Sequence, residues 1–287
     1  MKMQPECFGC FFQQANRLLR YLKIPKERRF AILKKIGDYL FHIDKYTRTP
    51  AFYASAMYKI LYESTGVKDP YKYVKRKYNK MILEMYPKLL KLIKKSEHPI
   101  YTALKLSAIG NIIDFGVETS LDIQKEIKNI NSIKFMKDDF KIFKKMLTSA
   151  KKIFLIADNA GEIIFDKLLL ETISSTREYE IVIGVRGKPV INDVTIDDLK
   201  GIKFNKNIKI VSNGNDNVGT ILSKCSKEFL NEFKSADIII SKGQANFESL
   251  NDLRDEPIFF LFRAKCAPVA KFLQVKQDSL LFYYNKK

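Results

Sequence analysis

The spacing of hydrophobic residues changes near residue 150. Before that point, apolar positions recur every three to four residues. RRFAILKKIGDYLFHI sets Phe30, Leu33, Ile36, Leu40 and Ile43 near one helical face. MILEMYPKLLKLIKKS does the same with Ile82, Met85, Leu89 and Leu92. Thr49-Pro50, STGVKDPY and His98-Pro99 break this half into separate helices.

Beyond residue 150, short β-branched and aromatic runs alternate with helical stretches. KIFLIAD precedes GEIIFDKLLLETIS, YEIVIGVRG precedes DVTIDDLKG, and IKIVSNG precedes GTILSKCSKEFLNEF. DIIISKG then leads to NFESLND, IFFLFRAK to APVAKFLQ, and SLLFYYN is read as the strand that closes the sheet. This alternation predicts a mostly parallel sheet with helices on both faces and right-handed crossovers. Strands covered on both sides should be apolar throughout, as these are. The chain therefore divides into a helical domain at 1–149 and an α/β domain at 150–287.

Charge sharpens that division. The net charge is +19, and Lys and Arg outnumber Asp and Glu 30 to 14 over residues 1–150, but only 21 to 18 afterwards. A basic half can face nucleic acid, an acidic membrane or an anionic substrate. Lys outnumbers Arg 41 to 10, which fits a solvated lysine-rich surface better than a base reader built on Arg forks. No apolar run approaches a membrane span, and MKMQPECFGCFFQQANRLL has no secretion-signal pattern. Four cysteines in 287 residues do not make a disulfide scaffold, so a reducing cytoplasm is expected.

Ligands of such sheets bind beyond the carboxyl ends of the strands. Polar residues gather there: Asp158-Asn159, then Arg186-Gly187 with Asn192-Asp193, then Ser212-Asn213-Gly214, Lys242-Gly243 with Asn246, and Arg263 with Lys265. Two carboxylates and an amide are hard oxygen donors suited to Mg²⁺, Mn²⁺ or a similar cation. The lysines, Arg186 and the helix start near Gly161 supply positive charge for an anion. Each feature alone reads as an N-cap or a turn; five strand ends together read as a site for phosphoryl chemistry. A dinucleotide fingerprint and a Walker A loop are both absent from the sequence, and its two histidines lie in the helical half. Cys7 and Cys10 have metal-ligand or redox spacing, and Cys266 is the third candidate for a second metal or structural site. Cys225 falls in a predicted helix as a small buried residue.

ADNAGEIIFD, RGKPVINDVTIDD, SKGQANFE and FRAKCAPVA, in this order, resemble the metal-dependent damage-control phosphatase family, formerly a domain of unknown function. CFGC and GNIIDFG resemble its branch with an N-terminal CxxC. The resemblance covers nearly the whole chain. It implies a helical domain packed on a Rossmann-like α/β domain. It also implies a divalent cation (Mn, Mg, Co or Ni) held by Asp158, Asn159 and Asp193. Lys242 and Lys265 would then face the phosphate, with Asn111 and Asp114 reaching in from the helical side. Asp158, Asp193 and Lys242 form the expected catalytic set, and the reading of the strand ends adds Glu162, Arg186, Asn192 and Asn246 as expected substrate contacts.

The function expected on these grounds is metal-dependent hydrolysis of small phosphorylated metabolites, either sugar phosphates or damaged cofactor and nucleotide phosphates. Attack by water and a phospho-Asp158 intermediate both remain open. Two alternatives are an S-adenosylmethionine-dependent carboxyl methyltransferase and a nucleic-acid binder using the basic half. The first lacks a glycine-rich first loop and the second lacks a reading motif. No membrane partner is expected, and the sequence does not fix the oligomeric state.

Overall fold

A computed structural model describes residues 1–43, 45–110 and 120–286. Five helices come first: α1 (Glu6–Tyr21), α2 (Lys26–Phe41), α3 (Pro50–Thr65), α4 (Lys72–Lys94) and α5 (Pro99–Gly110). The predicted breaks fall where expected. Thr49 accepts a hydrogen bond from Phe52 N at 3.3 Å, and Pro50 opens α3. Leu33, Ile36 and Leu40 of α2 turn inward, but Phe30 is 65% exposed and does not belong to the core face.

The remaining elements are α6 (Ser120–Lys128), β1 (Lys137–Asp138), α7 (Phe140–Leu147), β2 (Lys152–Ile156), α8 (Glu162–Ser174), β3 (Glu180–Val185), β4 (Ile208–Ser212), α9 (Lys227–Ser235), β5 (Ile238–Lys242), α10 (Gln244–Leu250), β6 (Ile258–Arg263), α11 (Ala267–Leu273) and β7 (Leu280–Tyr284). The seven strands lie in the order β1-β7-β6-β5-β2-β3-β4. Every pairing is parallel except β6 with β7. SLLFYYN does join the sheet, but one place from its edge, because β1 adds outside it.

Alternation along each strand builds two cores. Ile153, Leu155, Ile181, Ile183, Ile238 and Ile240 face α4, α5, α7 and α8. Phe154, Ile156, Val182, Ile239 and Phe260 face α9, α10 and α11. A third cluster joins α1, α2 and α3 and takes in Val190 and Val218 from the sheet's loops. Through it, the helices lean on the carboxyl-end rim.

Two expected helices are shorter than predicted. DVTIDDLKG forms only a 3₁₀ turn, Ile196–Leu199, closed by a reciprocal cap between Thr195 and Asp198. The stretch beginning at Gly219 makes a 3₁₀ turn at Leu222–Lys224 and becomes α-helical only after Ser226, whose hydroxyl caps Phe229 N at 3.2 Å. Cys225 therefore lies in the loop before α9 and is half-buried rather than in a helical core.

Candidate active site

Strand register brings the polar ends together. Ile156 of β2 lies opposite Gly184 of β3 and Ser241 of β5. Two residues further on, Asp158 is level with Arg186 and Gly243. A Cβ added at Gly243 would collide with the Asp158 carboxylate, and Gly243 has φ +82. Only glycine permits both that backbone and that approach. Gly243→Ala is expected to push Asp158 out of place and lower phosphate-ester turnover at least about tenfold while the protein stays folded. Initial rates alongside a circular-dichroism melt check this.

Asp193 reaches the same point from the loop after β3. Asn159 and Asp193 form an isolated bridge, with Val194 N donating to the Asp158 carbonyl at 2.8 Å and Ala160 N to that of Asn192 at 3.0 Å. Asn192 thus contributes its backbone to the join and is itself half-buried. Ile191, a β-branched residue, is held at φ 46 in this turn, where its N–H donates to the Tyr62 hydroxyl at 2.9 Å. Such strain persists only where the surroundings enforce it.

Three neighbours fix the oxygen donors. Asn159 Nδ2 donates to Asp158 Oδ2 at 2.8 Å and to Glu162 Oε2 at 3.1 Å. Both bonds use the amide nitrogen and neither uses the Asn159 amide oxygen. Arg186 Nε holds Asp193 Oδ2 at 2.6 Å, and its Nη2 donates to Asn246 Oδ1 at 3.0 Å. Its Nη1 donates to the Gly219 carbonyl at 2.5 Å. Asn246 Nδ2 in turn binds the Lys242 carbonyl at 2.6 Å.

Lys242 does not meet the role expected of a phosphate-facing lysine. The two-residue period of β5 turns it, like Ile238 and Ile240, toward α5 and α8. Its ammonium is fully buried against Glu162 Oε1 (2.9 Å), Asp166 Oδ1 (3.1 Å), Ser107 Oγ (2.6 Å) and the Ser107 carbonyl (2.8 Å). Arg186 and Asn246 are likewise buried and committed to protein groups, so neither matches its expected role as a substrate contact. Lys265 is exposed, and its charge acts on the Asp158 carboxyl. Asn111 and Asp114 lie outside the described residues.

The electrostatics follow from burial. Burial pushes the Asp158 carboxyl up to about 8, with Asp193 and Glu162 adding like-charge repulsion. Burial also raises Asp193, though Arg186 beside it opposes the shift. Asp166 is pushed up to about 7 by burial despite its contact with Lys242. For Lys242, burial opposes the charge, but Asp166 and Glu162 outweigh it and hold the ammonium's pKa above its ordinary value.

Several contributing residues were not singled out in the sequence. Lys75 is fully buried and binds Asp198 Oδ2 at 2.8 Å and Asp69 Oδ2 at 3.0 Å. Asn79 donates to the Asp198 carbonyl at 2.7 Å and accepts from Gly161 N at 2.6 Å. That bond takes up the Gly161 N–H that was expected to face an anion. Both residues extend the buried stripe of α4, which runs on through Ile82, Leu89 and Ile93. Polar residues at helical spacing ahead of those apolar ones were the available signal. Ser107 on α5 had no comparable signal.

The thiols lie away from this centre. Cys7 is buried and Cys10 exposed on α1, and half-buried Cys266 precedes α11. Among the described residues, no three His, Cys, Asp or Glu side chains gather closely enough to hold a metal. Cys7, Cys10 and Cys266 accordingly form no such group. Burial raises the Cys7 thiol to about 11 and also raises Cys266, which disfavours the thiolate at both. Changing Cys7 and Cys10 together to Ser is expected to leave ester turnover within about twofold, a difference of a few tenths of a kcal/mol; loss of turnover in a folded variant would contradict it.

Compared with known proteins, residues 3–281 match the profile of the damage-control phosphatase ARMT1-like domain. The chain belongs to this damage-control phosphatase family. It is 35% identical to a damage-control phosphatase of Pyrococcus horikoshii, covering 100% of this chain and 99% of that protein. A damage-control phosphatase of Archaeoglobus fulgidus is 32% identical over 98% of each chain. An uncharacterized protein of Methanocaldococcus jannaschii is 35% identical, over 96% of this chain and 93% of its own. The crystal structure of a DUF89 family protein from Pyrococcus horikoshii superposes with TM-score 0.90 at 35% identity, covering 100% of both chains. Fold and family thus agree for this damage-control phosphatase relative. No described helix is long and apolar enough to cross a membrane.

Proposed function

We propose that the chain is a divalent-metal-dependent phosphatase of small phosphorylated metabolites, with Asp158, Asn159 and Asp193 holding the metal. Charge at the site is the observation that carries this reading. Four buried carboxylates, Asp158, Glu162, Asp166 and Asp193, stand against two buried cations, Arg186 and Lys242. Burial and mutual repulsion raise Asp158, Asp166 and Asp193 in the metal-free protein, and a divalent cation would stabilise their ionised forms; hard oxygen donors suit Mg²⁺, Mn²⁺, Co²⁺ or Ni²⁺. Family membership supplies the phosphatase reading, and the donor set supplies the metal.

When bound, the metal would supply Lewis acidity to a phosphate oxygen. The chain's own residues arrange the rest. Arg186 holds Asp193 through its Oδ2 at 2.6 Å. Glu162, clamped by Lys242, orients the Asn159 amide. Exposed Lys265 places positive charge beside Asp158, where the transferred group would gather negative charge. Domain seams are common ligand sites, and the basic helical half beside this rim attracts phosphate esters.

The test is a screen of sugar, cofactor and nucleotide phosphates with chelated protein, then with each of the four cations added back. Phosphate release that depends on added cation supports the reading. Equal release in chelator overturns the metal dependence, and no release from any ester overturns the hydrolase reading.

A further inference from the structure

The proposed metal ligands sit on two separate stretches of chain. Asp158 and Asn159 belong to the turn that ends at Gly161, and Asp193 belongs to the stretch that closes in the Thr195–Asp198 cap. One side chain from the helical half spans both stretches. Asn79 Oδ1 accepts from Gly161 N at 2.6 Å, and Asn79 Nδ2 donates to the Asp198 carbonyl at 2.7 Å.

Both ends of that span are fixed. Gly161 stands at φ +80 directly before α8, where no side-chain cap comes from the helix start itself, and Asn79 supplies the acceptor for its N–H. Asp198 Oδ2 is held by Lys75 Nζ at 2.8 Å, by Thr195 Oγ1 at 2.7 Å and by Thr195 N at 2.9 Å. Lys75 and Asn79 lie one turn apart on the buried face of α4. Apolar residues of similar size often stabilise such a face as well as buried polar groups do. What they do not supply is a bond of defined length to each of two backbone groups.

The separation of donors matters to a cation. Mg²⁺ demands a near-ideal octahedron at about 2.0–2.1 Å, whereas Ca²⁺ accepts irregular shells at about 2.3–2.6 Å. Donors held at one separation favour the small ion, and donors free to part favour the large one. We propose that Asn79 is a positioning residue that holds the Asp158–Asn159 turn and the Asp193 stretch at one separation, and thereby sets a preference for a small divalent cation over Ca²⁺. This rests on the metal reading of the site and not on the identity of the ester. Asn79 acts through the two backbone groups it binds, Gly161 N and the Asp198 carbonyl.

The experiment titrates the metal-free full chain with Mg²⁺ and with Ca²⁺ by calorimetry, for wild type, Asn79→Ala and Tyr86→Phe. Tyr86 is the control, because it lies further along α4 and its hydroxyl accepts from Lys167 Nζ at 2.7 Å and donates to Glu171, both on α8. Asn79→Ala should lower the ratio of Mg²⁺ to Ca²⁺ affinity at least about fivefold. Tyr86→Phe should lower the melting temperature and leave that ratio within about twofold of wild type. Asn79→Ser, whose single hydroxyl is too short to reach both backbone groups, should move the ratio in the same direction if the alanine variant folds poorly. A ratio that stays put in both Asn79 variants, or that Tyr86→Phe shifts equally, would overturn the assignment while leaving the metal site standing. Absence of any cation binding by wild type would sink the metal reading, and this inference with it.

Discussion

Asp158→Ala is expected to abolish metal-dependent phosphate release while the chain stays folded. Asp158 is the carboxylate the sheet register places at the centre of the rim, level with Arg186 and Gly243. Loss of one charged donor forfeits several kcal/mol of charge stabilisation, about a thousandfold or more in rate. Stability should move the other way. A carboxyl raised from 3.8 to about 8 favours the fold while protonated, and that contribution is lost as pH rises through about 8. In metal-free protein, the variant should therefore gain on wild type between pH 5 and pH 9. Melting curves at both pH values, with turnover after metal addition, check the two halves. Wild-type turnover in the variant would remove Asp158 from the site.

Lys242→Ala is expected to unfold or severely weaken the protein. It strips Glu162 and Asp166 of the ammonium that lies between them in a fully buried position. Removing one partner from a buried ion pair costs about 3–5 kcal/mol, a large share of a domain's whole stability. Lys242→Met combined with Asp166→Asn should recover part of the loss, because one carboxylate goes with the ammonium. Metal affinity should fall as well, since Glu162 no longer holds Asn159 in place. Urea unfolding and calorimetric metal titration measure both effects. A stable variant with unchanged metal affinity and weakened substrate binding would return Lys242 to the phosphate.

The structure brings Asp158, Asn159 and Asp193 together, as the strand-end reading expects, because each follows a strand or lies in a turn at the rim; their role as metal ligands is the proposal made above. Lys242 was legible as a member of the site and misread in direction. Its placement depends on the parity of β5, and the last residue of a strand faces whichever sheet side its alternation dictates. That side is occupied by α5 and α8, which are remote in sequence. Arg186 and Asn246 were misread because they bind each other across 60 residues of sequence, a pairing that spacing along the chain does not reveal. The sheet itself was legible from its apolar runs. The two-residue β1 was not, because Lys137-Asp138 carries no apolar pattern and pairs only because β7 offers it an edge. The helix expected at 193–201 failed because the Thr195–Asp198 cap closes a single turn and leads into no apolar stripe.

Asn246 gives the site a property visible only when changes are combined. One amide joins the guanidinium of Arg186, just after β3, to the backbone carbonyl of Lys242 on β5, across β2, whose carboxyl end leads into Asp158. The clamp on Asp193 and the clamp on Glu162 therefore share a fastening. Harm done at either end should already have loosened the other, so paired substitutions would cost less than the sum of their separate effects. Over evolutionary time, such epistasis makes the rim change as a block. Drift at one of these positions alone meets resistance from all of them.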